Sequence, residues 1–178
     1  MTNDDDDLGP AYSLPPDDAH PGDIAERVML MPEHRHLTEN EISFGWLMRN
    51  EPKVKGNRVE LGSVHETQHM GQGAFKDLFE QLLLGMLGHL PDFVVVINAP
   101  WWEQAGPMER EALVFHELCH VRQKVDKFGS PRFDKDGLPV YGCQGHDIEA
   151  FQSEVLRFGA WKSDIAEFLN AAKRNENY

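Results

Sequence analysis

The 178-residue sequence predicts an α+β fold, and three stretches carry that prediction. Residues 74–90, "AFKDLFEQLLLGMLGHL", repeat apolar side chains at spacings of three and four, the period of an amphipathic helix. Residues 92–99, "DFVVVINA", are a β-branched run that reads as an inner strand. From Pro107 the helical period returns and runs toward Lys127. Strands and helices mixed in this way, without a regular βαβ alternation, define the class.

Taken in order, residues 1–23 hold seven aspartates, no lysine or arginine, and almost no large apolar residue. Such a segment cannot bury enough surface to offset its ordering entropy, so it reads as an acidic flexible tail before a domain over 24–178. Residues 39–50, "ENEISFGWLMRN", place Ile42, Trp46 and Leu47 at helical or mixed spacing. Residues 57–67 alternate as a half-buried strand. The helix over 74–90 puts Phe75, Leu78, Phe79, Leu82, Leu83 and Met86 on its apolar face, and Pro91 ends it. Glu109 and Glu111 suit the first turn of the helix opened by Pro107, and Gly129 stops it. Residues 129–145 are turn-rich, a loop or short hairpin. A last helix over 147–173 carries Ile148, Phe151, Val155, Phe158, Ile165, Phe168 and Leu169 on one stripe. No internal repeat stands out.

Several function classes are disfavoured. A formal net charge of −13 argues against a nucleic-acid backbone or an anionic membrane as partner. No apolar run reaches the length of a membrane span, and the N-terminus lacks the features of a secretory signal. Two cysteines, Cys119 and Cys143, make no disulfide framework, so reduced thiols and a cytoplasmic setting are expected.

Within the helix opened by Pro107 lies "HELCH", residues 116–120. Residues four apart on a helix are offset by about 40° around the axis and about 6 Å along it. His116 and His120 therefore project from one face, close enough for both imidazoles to bind one zinc ion. Glu117 is rotated to the edge of that face, where it reaches a water on the open side of the metal rather than the metal itself. The plain alternative is two histidines on a solvated face. Leu113, Val114, Phe115, Leu118 and Val121 flank the motif with apolar residues and argue against it.

A catalytic zinc needs a third protein ligand. His146, the last histidine in the chain, is the first choice, and Glu149 is the alternative. Three residues apart on a helix, they share a face, so one can ligate while the other supports it. Cys119 points about 100° away from His120 and reads as core. His65 and His69 read as loop or surface residues, and His20, His34, His36 and His89 carry no functional claim.

"HELCH" followed by "GHDIEAF" resembles the SprT-like and WLM-type zinc peptidases, in which a third histidine opens a helix after the motif. With "PDFVVVINAPWW" ahead of the motif, the chain looks most like the phage metallopeptidase family over roughly residues 40–165. The resemblance implies a zincin-like fold, with a small sheet packed against the HExxH helix and a C-terminal helix. The third histidine of SprT-like enzymes stands four residues before its aromatic, whereas His146 stands five before Phe151, which keeps Glu149 open. The chain has no four-cysteine zinc ribbon and no basic tail, so a role on nucleic acid does not carry over.

The expected function is hydrolysis of peptide bonds in a protein or peptide substrate, with Zn2+ held by His116, His120 and His146 or Glu149. Glu117 would be the proton acceptor for zinc-bound water. Tyr141 is the candidate oxyanion donor, and the strand at 92–99 the candidate edge for an extended substrate. The rival is a protein on the same frame that binds a partner without cleaving it; an intact Glu117 counts against that reading.

Overall fold

The computed structural model describes residues 11–56, 58–148, 152–160 and 163–175. By density of internal contacts the chain divides into a unit up to Cys143 and a second from Gln144. In chain order the first contains β1 (Tyr12–Ser13), α1 (Pro21–Val28), α2 (Arg35–Glu39), β2 (Phe44–Arg49), β3 (Lys53–Lys55), β4 (Arg58–Glu60) and β5 (Gly62–Glu66). There follow α3 (Ala74–Leu87), β6 (Phe93–Asn98), α4 (Ala99–Gln104), α5 (Pro107–Cys119), β7 (Val121–Gln123) and β8 (Tyr141–Cys143). The second unit holds α6 (Gln152–Phe158) and α7 (Ser163–Asn175). The fold is α+β.

A four-stranded sheet in the order β1-β2-β6-β5 is the frame. β2 and β6 run parallel, while β1 and β5 pair antiparallel to their neighbours. Every residue of β6 is buried, as its unbroken apolar run requires. Its alternate side chains go to opposite faces. Phe93, Val95 and Ile97 join Trp46 and Met48 in a core shared with α1 and α5 (Ala25, Val28, Leu113, Val114 and Leu118). Val94 and Val96 join Leu47 on the other face, which α3 covers through Leu83 with Leu87 packed beside it.

Several expectations need correction. Residues 11–23, assigned by composition to the tail, hold β1 and the start of α1; Ser13 Oγ donates to Asn50, and Trp102 Nε1 donates to the carbonyl of Ala19. Structure thus begins before residue 24, and residues 1–10 lie outside those described. The stretch 39–50 yields a strand, β2, because burial on both faces removes the alternation that would have marked it. β6 is paired on both sides and offers no edge; β1 and β5 are the edge strands. On α3 the apolar period is present, but Phe75, Leu78, Phe79, Leu82 and Met86 are exposed and only Leu83 is buried. α5 ends at Cys119, not near Lys127, because Val121–Gln123 pair with Tyr141–Cys143 instead of continuing the helix. The last helix is two, α6 and α7, with Gly159 at φ 66° between them.

The segment between β7 and β8 contains a short local repeat. "DKFGSP" (126–131) and "DKDGLP" (134–139) build the same turn eight residues apart. Asp126 Oδ1 accepts from the amides of Phe128 and Ser130; Asp134 Oδ1 accepts from those of Asp136 and Leu138. Gly129 and Gly137 sit at φ 82° and 81°, where a side chain is strained.

Candidate metal centre

α5 is set by its ends. Gly106 is its N-cap, Pro107 its first residue, and Glu109 Oε2 accepts from the Gly106 amide at 2.8 Å. Arg110 reaches back over the ring of Trp102 and donates to that residue's carbonyl, locking the first turn onto α4. Leu113, Val114 and Leu118 bury the inner face of α5 against the sheet. This leaves His116 exposed and His120, the C-cap residue, partly exposed. The apolar flanks of the motif therefore describe one side of the helix, not the surroundings of both histidines.

The rings of His116 and His120 lie edge to face with centroids 5.0 Å apart, as i, i+4 spacing requires. His116, His120 and His146 each offer one ring nitrogen, and these nitrogens all lie within 4.8 Å of one another, a possible metal site. His146 is exposed and follows β8 by three residues. Glu149, the alternative third ligand, lies outside the described residues.

Glu117 sits differently from its neighbours. It is 2% exposed, and its Oε2 has no hydrogen-bond partner. Burial pushes its carboxyl up to about 7, and the charge of Glu60 adds to the shift. Across from it is Gly62 of β5, whose backbone meets the Glu117 carboxylate with no room for a side chain. A buried carboxylate without a partner for one oxygen, on the same helix turn as His116, fits a divalent cation held by the histidines; imidazole donors suit zinc, copper, iron or nickel.

The other sequence candidates resolve as follows. Tyr141 is buried in β8, with its hydroxyl tied to the carbonyl of His36 and the amide of Asn40 and its ring stacked on His36. Its phenol is thus engaged by α2 and the residue after it, not presented as an oxyanion donor. Cys119 is partly buried, its sulfur 4.0 Å from His34 Nε2. His65 bonds Ser63, and His69 pairs with Glu66.

Two further residues hold β5 against its neighbours. Gly62 is one. Glu66 is the other: its carboxylate accepts from the Cys143 amide at 2.9 Å and pairs with Lys124 at 2.8 Å, which ties β5 to β8 and to the residue that follows β7. Burial pushes the Glu66 carboxyl up, but hydrogen bonds from Lys124, the Cys143 amide and Gln68 outweigh it and hold the group below its ordinary value. Neither role has a sequence signal, since both arise from contacts across more than fifty residues.

No curated protein and no solved structure matches the chain. The sequence pattern of one family does match, over residues 19–173, most of the chain and all of the histidine group. The chain belongs to the metallopeptidase family described as "Putative phage metallopeptidase".

Proposed function

We propose that the chain is a zinc-dependent peptidase that hydrolyses peptide bonds, with Glu117 as its general base. The observation that carries this reading is the three ring nitrogens of His116, His120 and His146 within 4.8 Å of one another, with the buried carboxylate of Glu117, one oxygen unpartnered, next in sequence to His116. His116, His120 and His146 would hold the metal, with Glu149 as the alternative to His146. When bound, zinc supplies a Lewis acid that acidifies water and polarises a carbonyl. Glu117 takes the proton from the attacking water and returns it to the leaving amine. Its raised affinity for protons in a dry setting suits both halves of that cycle.

The substrate is a protein or peptide. β5 is the edge strand that begins beside Glu117, so we place an extended substrate along β5 rather than along β6. No helix among the described residues is long and apolar enough to cross a membrane. We assign the protein to the cytoplasm, that of the host cell for a phage product, with no nucleic-acid partner.

Metal analysis of the purified protein should find about one zinc per chain, and His116→Ala or His120→Ala should each remove it. Glu117→Gln should keep zinc and fold while turnover of a cleaved protein falls by about 10²–10⁴-fold. Zinc retained in both histidine variants would remove the metal from the motif. A biological effect undiminished by Glu117→Gln would make the protein a binder and not a peptidase.

A further inference from the structure

We propose that Gly62 is the positioning residue for Glu117: its bare backbone is the surface against which the carboxylate is seated. The assignment to catalysis rests on the reading of Glu117 above; the contact itself does not. Glycine weakens a strand relative to alanine, so its presence in β5 needs a cause. A strained backbone is not the cause, because Gly62 is absent from the glycines with positive φ. Nor is a bulge, because β5 pairs with β6 in unbroken register from Gly62 opposite Ile97 to Glu66 opposite Phe93. What remains is close approach. A Cβ at Gly62 would meet Glu117 Oε1 and would lie 2.7 Å from Cδ and 3.0 Å from Cγ.

Three consecutive atoms of one side chain are involved, so rotating the tip alone would not clear the clash. Glu117 cannot readily withdraw, because it is 2% exposed on a turn whose neighbours Leu113, Val114 and Leu118 are packed into the core. The strand places the glycine as firmly as the helix places the glutamate. Gly62, Val64 and Glu66 share the face of β5 turned toward α5, and Val64 packs into that core while Glu66 ties β5 to β8 and to Lys124, the residue after β7. The base is thereby held between a helix and a strand that are each fixed by other contacts. An error of about 1 Å in a reacting group can cost about a hundredfold in rate, which is the scale of what Gly62 protects.

The test is a double-mutant cycle on the full chain with equal zinc added, read by melting temperature. Gly62→Ala alone should lower the melting temperature by about 4–8 °C, the effect of overpacking in a chain of this size. In a Glu117→Ala background the same substitution should cost nothing or raise the melting temperature, because the atoms it strikes are gone. If Gly62→Ala fails to fold, folding of the double variant supports the contact, and failure of both overturns it. An equal loss in the two backgrounds, or no loss in either, also overturns it. On a cleaved protein substrate, Gly62→Ala with full zinc content should lower kcat by up to about a hundredfold with KM unchanged. Should the wild-type chain cleave nothing, the peptidase reading fails while the stability cycle still decides the role of Gly62.

Discussion

The two faces of the four-stranded sheet are built to different standards. On the face toward α1 and α5, fifteen buried residues among those described form one core, and polar groups are buried close to it: His34 at 0% exposure and Glu117 at 2%. On the opposite face four buried residues among those described, Leu47, Leu83, Val94 and Val96, form the core with Met70 and Leu87 packed against it, and α3 contributes Leu83 and Leu87. Apolarity does not explain the contrast, since α3 is the more apolar helix by sequence. A buried carboxylate is tolerable only where the surrounding packing is deep enough to hold it without relaxing. The face that carries the candidate site is the one that can bear that cost.

The largest stability difference should come from truncating each core in turn. Ile97→Ala, on the α5 face, removes a fully buried side chain and should cost about 2–5 kcal/mol in chemical denaturation. Leu83→Ala, on the α3 face, should fall at about 2 kcal/mol, because the exposed helix above it is free to collapse into the gap. A cost for Leu83→Ala equal to or above that for Ile97→Ala would show that the thinner face is the better packed.

A smaller effect should separate the faces by pH. His34 lies under Phe115 of α5, ring centroids 4.4 Å apart, with its Nδ1 lacking a partner. Burial lowers its pKa to about 4, the positive charges of Arg122 and His36 add to the shift, and Glu33 opposes it. The folded imidazole therefore stays neutral where the unfolded one takes a proton, near pH 6.5. Its contribution is complete above that pH and is lost as pH falls toward 4, with a slope of at most about 1.4 kcal/mol per pH unit. Denaturation of the wild type and of His34→Leu between pH 7 and 4.5 should show a shallower slope in the variant. Parallel slopes would mean that His34 is protonated in the fold.

What the sequence revealed follows the reach of each interaction. The helix bearing His116 and His120 was legible because i, i+4 spacing is local, and so was the strand ending at Asn98. Where α5 stops was not legible, since Val121 leaves the helix to pair with Cys143, twenty-two residues on. β2 was hidden because "FGWLMR" is buried on both faces and shows no alternation. β1 was lost for the opposite reason: an acidic, proline-rich context concealed two residues whose pairing with Arg49 and Met48 is their structural signal. Gly62 could not be read at all, because the atoms that require it belong to another element. The period of α3 is legible but its exposure is not; a stripe of apolar residues states what a helix could bury, not what covers it.

That stripe supplies the smallest expected effect. Leu82 is 53% exposed on α3, one residue from the buried Leu83, and the two point to different sides of the helix. If the outer face of α3 has no partner within the chain, Leu82→Gln removes almost no contact and keeps a good helix former. Its stability change should stay within about 0.5 kcal/mol in the same denaturation experiment, against about 2 kcal/mol for Leu83→Ala next to it. Because Phe75, Leu78, Phe79 and Leu82 together expose an apolar surface, the substitution should also raise solubility at constant fold. A loss comparable to that of Leu83→Ala would mean that Leu82 is covered in solution. The contrast between a deep face and a shallow one would then have to be drawn again with α3 buried.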